Sequence, residues 1–324
     1  MSHRYGDERI VEWLRENRYH PRSPAHGSAS CMFLLDDLLS ANNAFREAAE
    51  SGDIVFQEDF DVGSGASRWN TDLVVGPPAE NAQIEFRGDR AIAEGEPERV
   101  WLAIDAKSVM TEHGKARRNR QRDINSFADI MHRHYPGAVT GGVLLINMAE
   151  QFRSPLRDEG DITEHDRIER LVRETVEMFR DIERANGKVS PNVDGVGCIV
   201  VDHTNSDDGS ATALVEEPPA PQTDDMVHYR EFVNIIASVL DNRWLTGTGP
   251  DLDSFAEVDL ESVLNRQIVE VASAASTLGK EAREQNVSGE SVDSMSTEIG
   301  ELQAVIEEID RRYGEEGQTI DGDD

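Results

Sequence analysis

Apolar positions recur along this chain with two periods, one typical of amphipathic helices and one typical of short buried strands. The helical period predicts helices at 7–18, 30–50, 112–134, 162–185 and 225–243. Apolar runs between them predict strands at 54–56, 68–75, 99–106, 139–147 and 196–202, with shorter strands at 83–87 and 211–215. Because helices and strands alternate over most of the chain, the pattern favours an α/β protein.

The pattern changes after residue 250, where a heptad repeat replaces the alternation of helix and strand. The spacing predicts two helices, 256–285 and 291–313, separated by Asn286–Gly289. Apolar residues of the second helix alternate spacings of three and four: Val292, Met295, Ile299, Leu302, Ile306, Ile309 and Tyr313. We expect an antiparallel α-helical hairpin that packs on the rest of the chain or on a second subunit, and the heptad seam favours a homodimer.

These patterns divide the chain into three parts. We expect an N-terminal segment at 1–27, an α/β domain at 28–248, and an acidic helical extension with a disordered tail at 251–324. The N-terminus lacks the apolar core of a signal peptide, and no apolar stretch approaches the length that spans a bilayer. A cytoplasmic protein with no membrane partner is therefore expected.

The composition is strongly acidic and poor in lysine. The chain has 64 acidic residues against 32 lysines and arginines, a net charge of -32, and only four of the basic residues are lysines. Dense carboxylates of this kind keep a protein soluble in molar salt, so we expect a salt-adapted protein. A DNA mimic, which offers carboxylates in place of phosphates, is the alternative. The even spread of the acidic residues along the chain favours salt adaptation.

One of the four lysines lies where it could take part in catalysis. Lys107 follows Asp105 by two residues at the end of the apolar run 100–104, and Asp72 opens an earlier apolar run at 73–75. Side chains two apart in a strand face the same side, so Asp105 and Lys107 project together. If the strand of Asp72 pairs beside them, two carboxylates can hold Mg²⁺ next to a phosphodiester while the lysine orients water. The alternative is a salt bridge at a sheet edge, with Asp72 as a turn residue.

The two segments 70–76 and 103–107 resemble the motif of the PD-(D/E)xK, or restriction-endonuclease-like, nuclease superfamily. The order helix, strand, strand with Asp, strand with Asp-x-Lys, helix, strand is also similar. The resemblance covers residues 30–150 and plausibly extends to 245. It implies a mixed central sheet flanked by helices, metal ligation by Asp72, Asp105 and the Ala106 carbonyl, and a catalytic Lys107.

The match to this superfamily has departures and one open position. Thr71 stands where the family name has proline, and Asp105 replaces the commoner Glu. A third acid often comes from the first helix of the family, and both Asp37 and Glu47 are candidates. The Gln-x-x-x-Tyr extension of the RecB-like branch is missing, since Asn125 follows Gln121 at the tyrosine position. This argues against a RecB-type exonuclease.

A basic segment follows the Asp-x-Lys motif. Residues 113–122 hold five basic residues and no acid: Lys115, Arg117, Arg118, Arg120 and Arg122. Lys115, Arg118 and Arg122 form one stripe at helical spacing, which suits contacts with DNA phosphates. The alternative is a solvated or subunit-facing helix surface.

Together these features predict a DNA endonuclease of restriction or defence type that uses Mg²⁺, with Mn²⁺ as the alternative metal, on double-stranded DNA. A branched-DNA repair nuclease is the second possibility within the same class. A non-catalytic DNA-binding or assembly protein that keeps the fold is the alternative from another class.

Overall fold

The computed structural model of the chain describes residues 3–63, 68–88, 90–111, 113–156, 162–186, 190–206 and 211–247. Nine strands lie in this part of the chain: β1 (Val55–Val62), β2 (Trp69–Gly76), β3 (Ala93–Glu94), β4 (Leu102–Val109), β5 (Val139–Asn147), β6 (Gln151–Arg153), β7 (Ile162–Glu164), β8 (Gly195–Asp202) and β9 (Ala213–Leu214). The helices described are α1 (Gly6–Glu16), α2 (Ala25–Ala41), α3 (Asn43–Ser51), α4 (His113–His134), α5 (Ile168–Arg180) and α6 (Tyr229–Leu240), followed by a π-helical turn at Asp241–Leu245.

Seven strands form one mixed sheet in the order β3-β1-β2-β4-β5-β8-β9, and β6 and β7 form a separate hairpin. Strands β4, β5 and β8 are parallel, whereas β2 runs antiparallel to both of its neighbours, β1 and β4. The predicted mixed central sheet flanked by helices is therefore confirmed. It brings the strands of Asp72 and Asp105 side by side.

Helices cover both faces of the sheet. On one face α1, α2 and α6 pack over apolar residues such as Leu73, Ile104 and Val143. On the other face α4 and α5 pack over residues such as Val109 and Leu144. Strand β5 is buried along its whole length, as expected for a parallel strand between two helical layers.

Helix α1 belongs to the same core as the α/β domain. Its residues Ile10, Val11 and Leu14 are buried and pack with α2. Helix α2 begins at Ala25, just before the predicted end of the N-terminal segment at residue 27. Residues 6–16 therefore contribute to the fold rather than preceding it.

The predicted helix at 30–50 is wrong in one respect, because two helices occupy this stretch. Asn42 has an extended backbone, and its side-chain oxygen accepts a hydrogen bond from the Phe45 amide at 2.9 Å. Asparagine in this conformation caps a new helix instead of continuing the old one. Helix α3 then ends at Gly52, which has a left-handed φ of 79°.

Three other predicted elements are shorter than expected. The stretch 162–185 begins as strand β7, and its helix spans only Ile168–Arg180. Residues 83–87 form no strand and contribute a single bridge, between Glu85 and Glu94. The predicted helix at 225–243 is helical from Tyr229 and changes to a π-helical turn at Asp241.

None of the helices in the described ranges is long and apolar enough to cross a membrane. The predicted helical hairpin at 251–324, its heptad seam and its tail lie outside the described residues, so the homodimer expected from that seam stays a prediction.

Candidate functional site

Strands β2 and β4 bring the two predicted carboxylates together. The last residues paired between these strands are Leu73 and Ile104. The antiparallel register places Asp72 opposite Asp105 one step further, where this pairing ends. The predicted pairing of the two strands is thus observed. Both aspartates lie at the point where the two strands separate.

Asp105 is completely buried and only partly satisfied. Its Oδ1 accepts hydrogen bonds from Lys107 Nζ at 2.6 Å and from Trp69 Nε1 at 3.4 Å. Its Oδ2 has no donor among the described residues, but the Asp72 carboxyl lies close enough to hydrogen-bond Asp105 when one of the two carboxyls is protonated. Burial raises the pKa of Asp105 to about 7, although Lys107 opposes this shift. A buried carboxylate oxygen without a donor is costly, so this atom calls for a proton or a cation.

Asp72 lies beside it, about a fifth exposed. Its Oδ2 accepts a hydrogen bond from the Ala106 amide at 2.7 Å and lies 3.9 Å from Lys107 Nζ. Burial raises the pKa of Asp72, and the nearby Asp59 raises it further against the effect of Lys107. Both carboxyls therefore favour protonation or a positive partner.

Lys107 is held among these acids by four contacts, one of which is the approach to Asp72 given above. Besides its bond to Asp105, its Nζ lies 3.5 Å from the Ala106 carbonyl oxygen and 5.7 Å from the centre of the Trp69 ring. The side chain is 17 % exposed, so its ammonium can still reach solvent. The structure therefore brings together all four residues predicted for the site, namely Asp72, Asp105, Ala106 and Lys107.

The site fits a Mg²⁺ ion only if the protein supplies few of the metal's ligands. No group of three or more His, Cys, Asp or Glu side chains that could hold a metal occurs in the described ranges. Mg²⁺, however, keeps several waters and commonly takes one or two carboxylates from the protein. The unsatisfied Oδ2 of Asp105, the adjacent Asp72 carboxylate and the Ala106 carbonyl match that requirement.

Neither acid predicted as a third ligand lies at this site. The Asp37 carboxylate is buried and accepts hydrogen bonds from the Gly6 amide, the Tyr229 hydroxyl and the His3 ring. Asp37 therefore anchors the N-terminal residues. On α2 it lies about ten residues after Gly27, the residue of this helix that is near Asp72. Glu47 is exposed on α3. The acid that the sequence reasoning missed is Asp59, which has a positive φ of 52°.

Asp59 is placed near the site by strand register. The pairing of β1 with β2 sets it opposite Asp72, between the pairs Glu58–Leu73 and Phe60–Thr71. The register follows from the way the strands pack in the fold, and no motif in the sequence marks it. Trp69 was missed for the same reason. It is the first residue of β2, and its contact with Asp105 depends on how the strands pair.

The start of α2 packs directly against the carboxylates. A side chain in place of Gly27 would lie 3.7 Å from Asp72 Oδ1 and 3.7 Å from the Ala106 methyl group. The next residue toward the N-terminus, His26, packs its ring on Tyr19 with centres 4.9 Å apart. The sequence offered no signal for either residue, because this turn precedes the predicted helix start at residue 30.

The five basic residues of α4 fall into two groups. Lys115, Arg118 and Arg122 are exposed, as predicted for a basic stripe. Arg117 is 12 % exposed and pairs with Glu174 of α5 at 2.7 Å. Arg120 bonds the Ser108 carbonyl at 3.3 Å and Asp123 at 2.8 Å. Arg117 therefore contacts a neighbouring helix, and the predicted part of all five basic residues in DNA binding stays a prediction.

A scan against protein-family models and searches of curated proteins and of solved structures found no match to this chain.

Proposed function

We propose that this protein is a Mg²⁺-dependent DNA endonuclease with a PD-(D/E)xK-like core. The carrying observation is the buried Asp105 carboxylate, which has one oxygen without a partner, beside Asp72 and Lys107. The order of elements supports the same proposal, because α2, β1, β2, β4, α4 and β5 follow one another as the motif order requires.

In the proposed reaction each residue has a separate task. Asp72, Asp105 and the Ala106 carbonyl would hold Mg²⁺, which stabilises developing negative charge on a phosphate and makes water more acidic. Lys107 would leave Asp105, orient the attacking water and offset charge on the phosphate in the transition state. Trp69 would keep the Asp105 oxygen oriented through its indole N–H.

The exposed basic residues supply the proposed contacts with double-stranded DNA. Lys115, Arg118 and Arg122 lie on the helix that follows the Asp-x-Lys strand, in a chain of net charge -32. Local positive charge on such a background suits phosphate backbone contacts. A cytoplasmic, salt-adapted homodimer of restriction or defence type is the full form of the proposal, with branched-DNA repair as its variant.

A second candidate is a non-catalytic DNA-binding or assembly protein. The 2.6 Å contact between Lys107 and Asp105 favours it, since such a contact also occurs in a structural ion pair. A proton shared between Asp72 and Asp105 would satisfy the buried Oδ2 in this candidate, whereas a divalent cation would satisfy it in the nuclease. Divalent-metal binding separates the two candidates.

The test is cleavage of plasmid DNA in high KCl with Mg²⁺, Mn²⁺ or EDTA. We expect metal-dependent nicking or linearisation that falls at least about a hundredfold in Lys107→Ala, because that lysine acts on the reacting water. Arg133→Ala removes an equal charge from the exposed far end of α4 and should cleave like the wild type. Cleavage that survives in a folded Lys107→Ala variant would place the site elsewhere. No cleavage of supercoiled, linear, methylated or branched DNA would favour the non-catalytic candidate.

A further inference from the structure

A cavity of about 210 Å³ lies at the C-terminal end of β4, beginning one residue beyond Lys107. Its polar wall includes Ser108 on β4, Thr111 and Ser154, and Lys115, Asn119 and Arg120 on α4. Its opposite wall is apolar and includes Tyr19 and Phe152, and the Tyr19 hydroxyl is held on Ser108 Oγ at 2.8 Å. The cavity is therefore a polar-sided recess that is open to solvent on the side of Lys115 and Asn119.

Positive and hydrogen-bonding groups from three elements converge between this cavity and the carboxylates. His26 of α2 packs on the cavity residue Tyr19, and its ring lies close enough to Arg120 and Lys107 to be affected by both charges. Burial, together with the charges of Arg120 and Lys107, lowers the pKa of His26 to about 4, against a hydrogen bond between its ring and the Ser23 backbone. The imidazole is therefore neutral near pH 7.

No acidic residue in the described part of the chain lines this cavity. This is unusual in a protein with twice as many acidic as basic residues. Lys115 is exposed and has no ion-pair partner among the described residues. Asp123, the carboxylate that holds Arg120, lies outside the lining. The local electrostatics therefore favour an anion.

We infer that this cavity is a subsite for a DNA phosphate adjacent in the strand to the phosphate that is cut, held by Lys115, Asn119 and Arg120. This inference rests on the proposed nuclease function. The volume accommodates a phosphate with some of its hydration but not a base pair. The lining offers an ammonium, a guanidinium and an amide, which are donors that phosphate oxygens accept.

The subsite has a specific mechanistic consequence. With one phosphate seated beside Ser108, the neighbouring phosphate of the same strand is delivered to Asp72, Asp105 and Lys107. The cavity thereby sets which bond is cut.

The test measures the effect of neutralising each phosphate in turn on binding. A series of duplexes, each with one phosphate replaced by a methylphosphonate, is bound to the full chain in Ca²⁺, and affinities are read by fluorescence anisotropy. The same series is measured for Lys107→Ala, Lys115→Gln and Arg122→Gln. Lys115 and Arg122 are both exposed on α4, and both substitutions remove one positive charge, but only Lys115 lines the cavity.

We expect the wild type to lose affinity roughly tenfold at one phosphate that depends on Lys107 and at an adjacent phosphate. In Lys115→Gln the adjacent position should become insensitive to neutralisation, whereas in Arg122→Gln it should stay sensitive. An unchanged pattern in a folded Lys115→Gln variant would overturn the subsite and leave the nuclease proposal standing. A wild type that binds no DNA at low or high salt would overturn both.

Discussion

At the scale of single residues, Asp105 and Lys107 could be singled out from the sequence and their surroundings could not. The scarcity of lysine directs attention to Lys107, and the two-residue spacing ties it to Asp105. Which oxygen of Asp105 lacks a partner depends on Trp69, which lies 36 residues away in sequence. Asp59 was missed because a cross-strand neighbour follows from register, and register is a tertiary property.

The burial of Asp105 has a measurable effect on stability without metal. A carboxyl whose pKa rises on folding favours the folded state fully below its unfolded pKa of about 3.9, and this contribution is lost as the pH rises through 7. We therefore expect Asp105→Asn to be more stable than the wild type at pH 8 by on the order of 1–3 kcal/mol, because the amide carries no buried charge. The difference should disappear near pH 4.

Urea unfolding in EDTA at a series of pH values measures this difference. Asp61→Asn serves as a control, since Asp61 is an exposed acid on β1 paired with Arg68. Added Mg²⁺ should stabilise the wild type and leave Asp105→Asn unchanged. A variant less stable than the wild type at pH 8 would mean that the Lys107–Asp105 pair outweighs the burial of the charge.

At the scale of elements, the long elements β5 and α4 were easier to predict than short strands and breaks between helices. Strand β5 matches the predicted range 139–147 because a long apolar run bounded by polar residues has one reading. The break between α2 and α3 was not predicted, because Asn42 interrupts a continuous apolar stripe without a glycine or proline. Its capping role depends on contacts with α6 as well as with α3.

Asn42 should therefore be a stability determinant remote from the site. Its Oδ1 accepts from the Phe45 amide at 2.9 Å, and its Nδ2 donates to the Ala237 carbonyl at 3.0 Å. We expect Asn42→Ala to lower the free energy of unfolding by about 1–3 kcal/mol, since it removes a cap and leaves buried groups without partners. Urea unfolding measures this loss.

The adjacent Asn43 provides a matched control. It bonds Arg46 on the surface, and Asn43→Ala should change stability by less than about 0.5 kcal/mol. DNA binding and cleavage should be unchanged in both variants when they are assayed below their unfolding transitions. Equal losses in the two variants would show that Asn42 does not cap α3 in solution.

At the scale of the whole molecule, the fold rests on contacts that no local pattern indicates. Arg243, in the turn after α6, forms a buried ion pair with Asp194 at 2.8 Å. Asp194 also accepts a hydrogen bond from the Thr140 amide at the start of β5. This buried pair links the end of the domain to the centre of the sheet. The acidic excess of the chain, in contrast, can be read from the composition alone.

The buried ion pair and the repulsion among surface carboxylates should respond differently to salt. With a net charge of -32, repulsion among surface carboxylates destabilises the folded chain, and salt screens it, with a Debye length of about 3 Å at 1 M. We expect the free energy of unfolding in urea to rise steadily with KCl. Arg243→Gln should lower it by about 3–5 kcal/mol at every KCl concentration, because screening barely reaches a buried pair. If the loss of unfolding free energy in Arg243→Gln shrinks as KCl rises, the pair is solvated. If the unfolding free energy of the wild type does not change with KCl, salt adaptation is contradicted.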